Sequence, residues 1–135
     1  GHIAGTSSVA GKVGVPLRTA YCAATFGLIG FLDALRAEGA SHGIKVSTII
    51  PGLVKTGAVA NAMTGDGSVI GAEDGVMTEG LTADEAAAAI LPELAKFSDE
   101  FVIGNCDSSK MVEMKRNNQT QIFRGREQMA ASLHE

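Results

Sequence analysis

The run Val46-Ser47-Thr48-Ile49-Ile50, closed by Pro51-Gly52, constrains this chain more than any other segment. Four of its five residues are β-branched, which suits a pleated strand, and Pro-Gly is a strong stop signal. No charged side chain interrupts Val46–Ile50, so neither face of the strand has a residue that asks for water. A strand of that kind is at home in the middle of a parallel sheet covered on both sides.

The flanking segments agree with a sheet of that type. Residues 2–7 form a short candidate strand, followed by a loop with Ser7, Ser8, Gly11, Gly14 and Pro16. A helical pattern runs from Thr19 or Ala20 to about Glu38, with Gly39 as its expected stop. The second strand, approached through Gly43-Ile44-Lys45, ends at Ile50. Residues 53–80 are a Gly- and Ala-rich connection with expected turns at Gly65-Asp66-Gly67 and Asp74-Gly75. Thr82-Ala83-Asp84-Glu85 is a capping box that opens a helix to about Lys96, with Pro92 inside it. Phe101–Gly104 is a third strand, and the stretch from Ser108 to Leu133 is amphipathic and helical, with a possible break at Gly125. Strands alternating with helices predict an α/β fold with a parallel sheet. With only three short strands, one sheet edge is expected to need a neighbour from outside these residues.

Composition narrows the partners. The 135 residues suffice for a single domain, and 45% are apolar, enough for a packed core. The net charge of −4 offers no electrostatic reason to expect nucleic acid or an anionic membrane. The longest uncharged stretch, Thr19–Leu32, is shorter than a membrane span. Gly1–Ala10 carries no charged leader followed by an apolar run, and Cys22 and Cys106 have no metal-like spacing, so a reducing, cytoplasmic setting is the expectation. His2, His42 and His134 are scattered and read as surface residues; no metal site is expected.

Chemistry concentrates in two places. Ser7-Ser8-Val9-Ala10-Gly11 follows the first strand, and Tyr21-Cys22-Ala23-Ala24-Thr25 opens the long helix, with Ser8 and Tyr21 thirteen residues apart. A serine at a strand's C-terminal end and a tyrosine at a helix start make a plausible proton-transfer pair, at the edge where α/β sheets place ligands. Here the chain resembles the short-chain dehydrogenase/reductase family, whose members carry Ser-Ser-x-Ala-Gly and, thirteen residues after the active-site serine, Tyr-x-x-x-Lys. Pro51-Gly52-Leu53-Val54-Lys55-Thr56 is similar to that family's Pro-Gly-x-Val/Ile-x-Thr segment, and Asn61–Ser68 loosely resembles a substrate-side loop.

The resemblance implies the C-terminal part of a Rossmann-like, doubly wound parallel sheet: one partial domain over residues 1–135. It implies an NAD(P)-dependent oxidoreductase interconverting an alcohol and a carbonyl. By the same resemblance Tyr21 is the proton-transfer group, Ser8 orients the substrate oxygen, and Pro51, Gly52, Val54 and Thr56 contact the nicotinamide of NAD or NADP. A free phenol titrates near about pH 10, and relatives lower that barrier with a lysine one helical turn on. Position 25 is Thr here, which supplies no ammonium. The family's Thr-Gly-x-x-x-Gly-x-Gly phosphate loop does not occur in these residues, and Gly27-Leu28-Ile29-Gly30 lies within a helix pattern. The chain by itself is therefore expected to be inactive and to bind the dinucleotide weakly. The alternative reading is a pseudoenzyme or truncated interaction module, whether Thr25 is natural, introduced or an error.

The remaining features have plain readings. Ser7 reads as a structural hydroxyl, Thr56 could cap a following helix, and Cys22 reads as a small buried residue. Gly27 and Gly30 permit close packing, either at a homo-oligomer contact through helix 21–38 or on the chain's own sheet. Lys110, Lys115, Arg116, Arg124 and Arg126, diluted by Glu113 and Glu127, read as a solvated helix face.

Overall fold

The computed structural model describes residues 1–71 and 79–132. The expected Asp74-Gly75 turn, Leu133 and His134 lie outside the described residues, as does the side chain of Cys106. The order is β1 (His2–Thr6), a 3-10 turn (Val9–Gly11), α1 (Thr19–Gly39), a second 3-10 turn (Ala40–His42), β2 (Lys45–Pro51), α2 (Ala83–Ala95), β3 (Glu100–Ile103), α3 (Cys106–Asn117) and α4 (Gln119–Ser132). The three strands are parallel in the order β1-β2-β3, with Thr6 beside Ile49 and Ile50 beside Val102.

β2 is central and buried from Val46 to Ile50. Alternation along the strand sends Val46, Thr48 and Ile50 to one face and Ser47 and Ile49 to the other. Helix α1 covers the first face: Ile29 packs with Ile50 and Val9 in the core, with Val102, Met111 and Val112 against them. Arg36 ties the same helix to the sheet. Its Nε donates to the Val46 carbonyl at 3.0 Å, and its Nη2 donates to Thr48 Oγ1 at 3.0 Å and to the Asp99 carbonyl at 2.8 Å. Val46 precedes the β2–β3 pairing, so the guanidinium gives its carbonyl a partner the short β3 does not supply; the Asp99 carbonyl also accepts the Thr48 N–H at 2.9 Å. On the opposite face Ser47 donates to the Ser98 carbonyl at 2.7 Å and lies 2.8 Å from His2 Nε2. His2 was expected to be a plain surface residue; it is also packed edge-on against Phe97.

Several expected boundaries move. α1 ends at Gly39 as expected, but Gly39 is not a left-handed cap: its backbone stays right-handed, a 3-10 turn follows over Ala40–His42, and Gly43 takes the left-handed conformation at φ 67°. The tail breaks at Asn118 and not at Gly125, because Asn118 Oδ1 accepts the Gln121 N–H at 3.2 Å and caps α4. Its first helix starts two residues earlier than expected, behind Asn105, whose side chain accepts the Ser108 N–H. The Thr82 capping box forms as read, with the Thr82 N–H on Glu85 Oε2 at 2.8 Å and the Glu85 N–H on Thr82 Oγ1 at 3.2 Å. Pro92 stays inside α2 in its last turn. Gly27 and Gly30 do not touch the sheet, and open space lies where a Cβ would stand.

The outward face of α1 carries Tyr21, Phe26 and Phe31, the last 61% exposed. By length and composition the segment Thr19–His42 would suffice to cross a membrane, a property it shares with core helices of soluble proteins. The uncharged run stops at Leu32, and the turns from Asp33 to Glu38 complete that length. Its inner face is committed to the sheet through Ile29, Leu32 and Arg36.

β1 is exposed at four of its five residues, including Ile3 at 41%, and its second edge has no strand partner among the described residues. An open parallel edge with apolar side chains invites pairing. The isolated chain should therefore self-associate at micromolar concentration, read as a mass above the monomer by light scattering. A clean monomer would count against the open edge.

Candidate functional site

Because all three strands are parallel, their C-terminal ends share one edge of the sheet, and the candidate residues follow from those ends. After β1 the chain turns at once: Ser7 N–H still donates to the Ile49 carbonyl at 2.9 Å, and Ser8 begins the 3-10 turn. Ser8 Oγ accepts the Ala10 N–H at 3.1 Å, a cap that leaves its hydroxyl proton to be donated elsewhere. Ser7 is buried, and its Oγ donates to the Thr25 carbonyl at 3.0 Å. That bond holds the end of β1 against α1 one turn beyond Tyr21. Gly11 completes the contact, since a Cβ there would lie 2.7 Å from Ser7 Oγ and 2.9 Å from the Thr25 carbonyl. Ser7 is structural, as its position suggested.

Tyr21 sits in the first turn of α1 and is 51% exposed at the site edge. Cys22, beside it, is half-buried and accepts the Val15 N–H at 3.3 Å, which anchors the loop between Ser8 and the helix. Thr25 is only 8% exposed, and its Oγ1 donates back to the carbonyls of Tyr21, at 2.9 Å, and Cys22, at 3.2 Å. Its hydroxyl is thus spent within its own helix.

The segment after β2 is held from two sides. Gly52 N–H donates to the Ile103 carbonyl at 2.7 Å, and a Cβ on Gly52 would fall 2.0 Å from Ser108 Oγ and 2.8 Å from Ser108 Cβ. Only glycine lets the start of α3 come so close. Leu53 accepts from Leu81 N–H at 3.0 Å and Lys55 N–H donates to Leu81 at 2.7 Å, so a short parallel bridge clamps Val54. The N–H groups of Val54 and Thr56 find no acceptor among the described residues. Two rigidly held donors at the sheet edge suit a carboxamide or another planar acceptor. Thr56 Oγ1 accepts the Ala58 N–H at 3.3 Å, so the hydroxyl also performs the local turn role its type allows. Pro51 ends β2, paired with Ile103.

Residues 57–71 form a folded excursion. Met63 bridges Val69, and Thr64, Asp66 and Ser68 knit the turn around Gly67. Asp66 receives hydrogen bonds from Thr64 Oγ1, Ser68 N–H and Ser68 Oγ, which lower its carboxyl from 3.8 to about 2. Sequence reasoning missed the supporting residues Leu81, Asn105 and Ser108. Only Asn105 had a readable signal, an Asn between glycine and a helix.

Hydroxyl groups at one strand end, a tyrosine at the next helix, and backbone donors without an acceptor among the described residues after the neighbouring strand thus stand at one sheet edge. The family model for short chain dehydrogenase matches residues 1–67. Dehydrogenase/reductase SDR family member 7B of Xenopus tropicalis is 40% identical over 103 residues, which are 76% of this chain and 33% of that protein. Dehydrogenase/reductase SDR family protein 7-like of Drosophila melanogaster is 37% identical over 105 residues, 78% of this chain and 32% of that protein. Among solved structures, a short chain dehydrogenase from Burkholderia cenocepacia in complex with NADP superposes with a TM-score of 0.73 at 18% identity, over 93% of this chain and 47% of that one. A short-chain dehydrogenase from Streptomyces avermitilis gives 0.67 at 20%, over 98% and 52%. The chain belongs to the short-chain dehydrogenase/reductase family and spans about a third of the length of the curated relatives it matches.

Two outcomes follow from the geometry. Gly52→Ala should destabilise the chain by about 1–3 kcal/mol through overpacking, seen as a lower urea midpoint, and adding Ser108→Gly should restore part of it. A neutral Gly52→Ala would remove the packing explanation. Because the Asp66 carboxyl lies below its ordinary value, its ordering of the turn is complete above the ordinary carboxylate range. That contribution fades as pH falls toward about 2. An NMR titration should place the Asp66 midpoint near 2; a midpoint at 3.8 would show the turn unformed in solution.

Proposed function

We propose that this chain forms the substrate-facing part of an NAD(P)-dependent oxidoreductase that interconverts an alcohol and a carbonyl. The observation that carries the reading is the convergence at one sheet edge of the Ser8 and Tyr21 segments with the unengaged N–H groups of Val54 and Thr56. In this reading the Ser8 hydroxyl, already oriented by the Ala10 N–H, donates to the substrate oxygen. Tyr21 exchanges a proton with that oxygen from the exposed start of α1. Val54 and Thr56 would hold the nicotinamide carboxamide, with Pro51 and Gly52 setting the backbone that presents them. When bound, the cofactor supplies or accepts the hydride.

Thr25 limits the chemistry. Its hydroxyl returns to the helix, so no cation from position 25 stands near the Tyr21 phenol. The chain alone is accordingly proposed to be inactive, with weak or no dinucleotide binding. A subunit pairing through the apolar outer face of α1, in the cytoplasm and with neither nucleic acid nor membrane as partner, completes the proposal.

Calorimetry with NADH and NADPH on the chain should give no binding at micromolar affinity; tight binding would overturn the claim of inactivity. In a chimera carrying the remaining residues of the Xenopus relative, Thr25→Lys should raise carbonyl reduction by about 10²–10⁴-fold. Tyr21→Phe in the same background should abolish the gain. An unchanged rate with Thr25→Lys would show that Tyr21 is not the proton-transfer group.

A further inference from the structure

Behind the loop that joins Ser8 to Tyr21 lies an open pocket of about 340 Å³, walled by Val15, Pro16 and Cys22 on one side and by Ile122, Phe123 and Arg126 of α4 on the other. Its size is at the lower end of small-molecule sites, which run about 300–1,000 Å³. Every wall but one is apolar or weakly polar. The exception is Arg126, which was expected on a solvated helix face and is instead half-buried.

The partners of Arg126 are unusual for a guanidinium. Nη1 donates to Met129 Sδ at 3.2 Å and Nη2 to Met111 Sδ at 3.1 Å. A thioether is a weak acceptor, and Arg126 has no carboxylate or carbonyl partner among the described residues. The neighbouring Arg124, by contrast, is paired with Glu127. Lys115 lies outside the pocket, its ammonium 4.4 Å from the centre of the Phe123 ring. An apolar cavity lined by one cation, a planar fork with only sulfur partners among the described residues, is complementary to an anion with a hydrocarbon body.

The geometry points to a binding site for a small aliphatic carboxylate, its two oxygens on the Arg126 fork and its hydrocarbon body against Val15, Pro16, Ile122 and Phe123. The carboxylate replaces two thioether contacts with a bidentate charge-assisted pair, and the hydrocarbon leaves water for the pocket. The assignment needs neither Tyr21 nor a cofactor and goes beyond the redox reading.

Octanoate and octanol serve as probes of the 135-residue chain, with binding read by saturation-transfer NMR in the absence of any dinucleotide. Octanoate should bind about tenfold or more tightly than octanol, as expected for a charge-assisted hydrogen-bond pair. Arg126→Met should erase that preference and leave octanol binding in place. Tyr21→Phe should leave both affinities unchanged, so failure of the redox reading would not touch this result. Were Arg126→Met to unfold, Arg126→Lys, with a point charge in place of the fork, should retain part of the preference. No binding of octanoate, equal binding of the two probes, or a preference that survives loss of the Arg126 charge would overturn the assignment.

Discussion

The burial of β2 on both faces is the constraint on which the remaining structure depends. Val46, Thr48 and Ile50 must be covered by one layer and Ser47 and Ile49 by another, and each polar atom taken from water on the way needs a partner. Arg36 solves that problem where β3 is too short to serve. Its guanidinium satisfies carbonyls and a hydroxyl at the sheet margin while its helix covers the hydrocarbon. With α1 pinned in this way, its first turn is delivered to the edge where β1 and β2 end. Tyr21 is where it is because Arg36, four turns later, is where it is.

Residues of the family motifs divide by task. Ser7, Gly11 and Gly52 are occupied by the fold: a hydrogen bond to the Thr25 carbonyl, a close approach of α1, and a close approach of Ser108. Ser8, Tyr21 and the N–H groups of Val54 and Thr56 keep donor capacity in hand. Rigid support around such donors is what preorganises a site, since donors already held in place need not be reordered when a ligand arrives. Thr25 stands between the two groups. It keeps the packing that the position requires and lacks the charge that the chemistry of relatives would use.

The same backbone logic explains how the excursion over residues 57–71 holds its shape. The Thr64–Ser68 turn is closed by a carboxylate that collects three donors, and the bridge between Met63 and Val69 extends it. Leu81 then returns the chain to Leu53 and Lys55 just before the Thr82 cap starts α2. The chain leaves at Leu53–Lys55 and returns to the same place at Leu81, so one clamp holds both ends of the loop.

Much of this was legible in the residues. The doubly buried strand, the parallel alternation, the Thr82 capping box and the Ser8–Tyr21 spacing all depend on neighbours within a few positions or on a periodic pattern, and such local terms act before the chain has folded. Other features depended on contacts far apart in sequence. Gly39 ends α1 as it looked to, yet it is Gly43, after a further 3-10 turn, that takes the left-handed conformation, because a glycine's role is set by the backbone around it. Gly125 looked like a break, yet a side-chain cap at Asn118 decided the matter. Arg126 read as a surface charge; Met129 on its own helix and Met111 on α3 give it two sulfur partners, and the approach of α4 to the Val15–Cys22 loop gives it a pocket. The sequence by itself determined the sheet, its order of elements and the family. The tertiary structure decided which glycines are crowded and, among the described residues, which donors remain unspent and which charge has no anion, because those properties belong to surfaces brought together by folding.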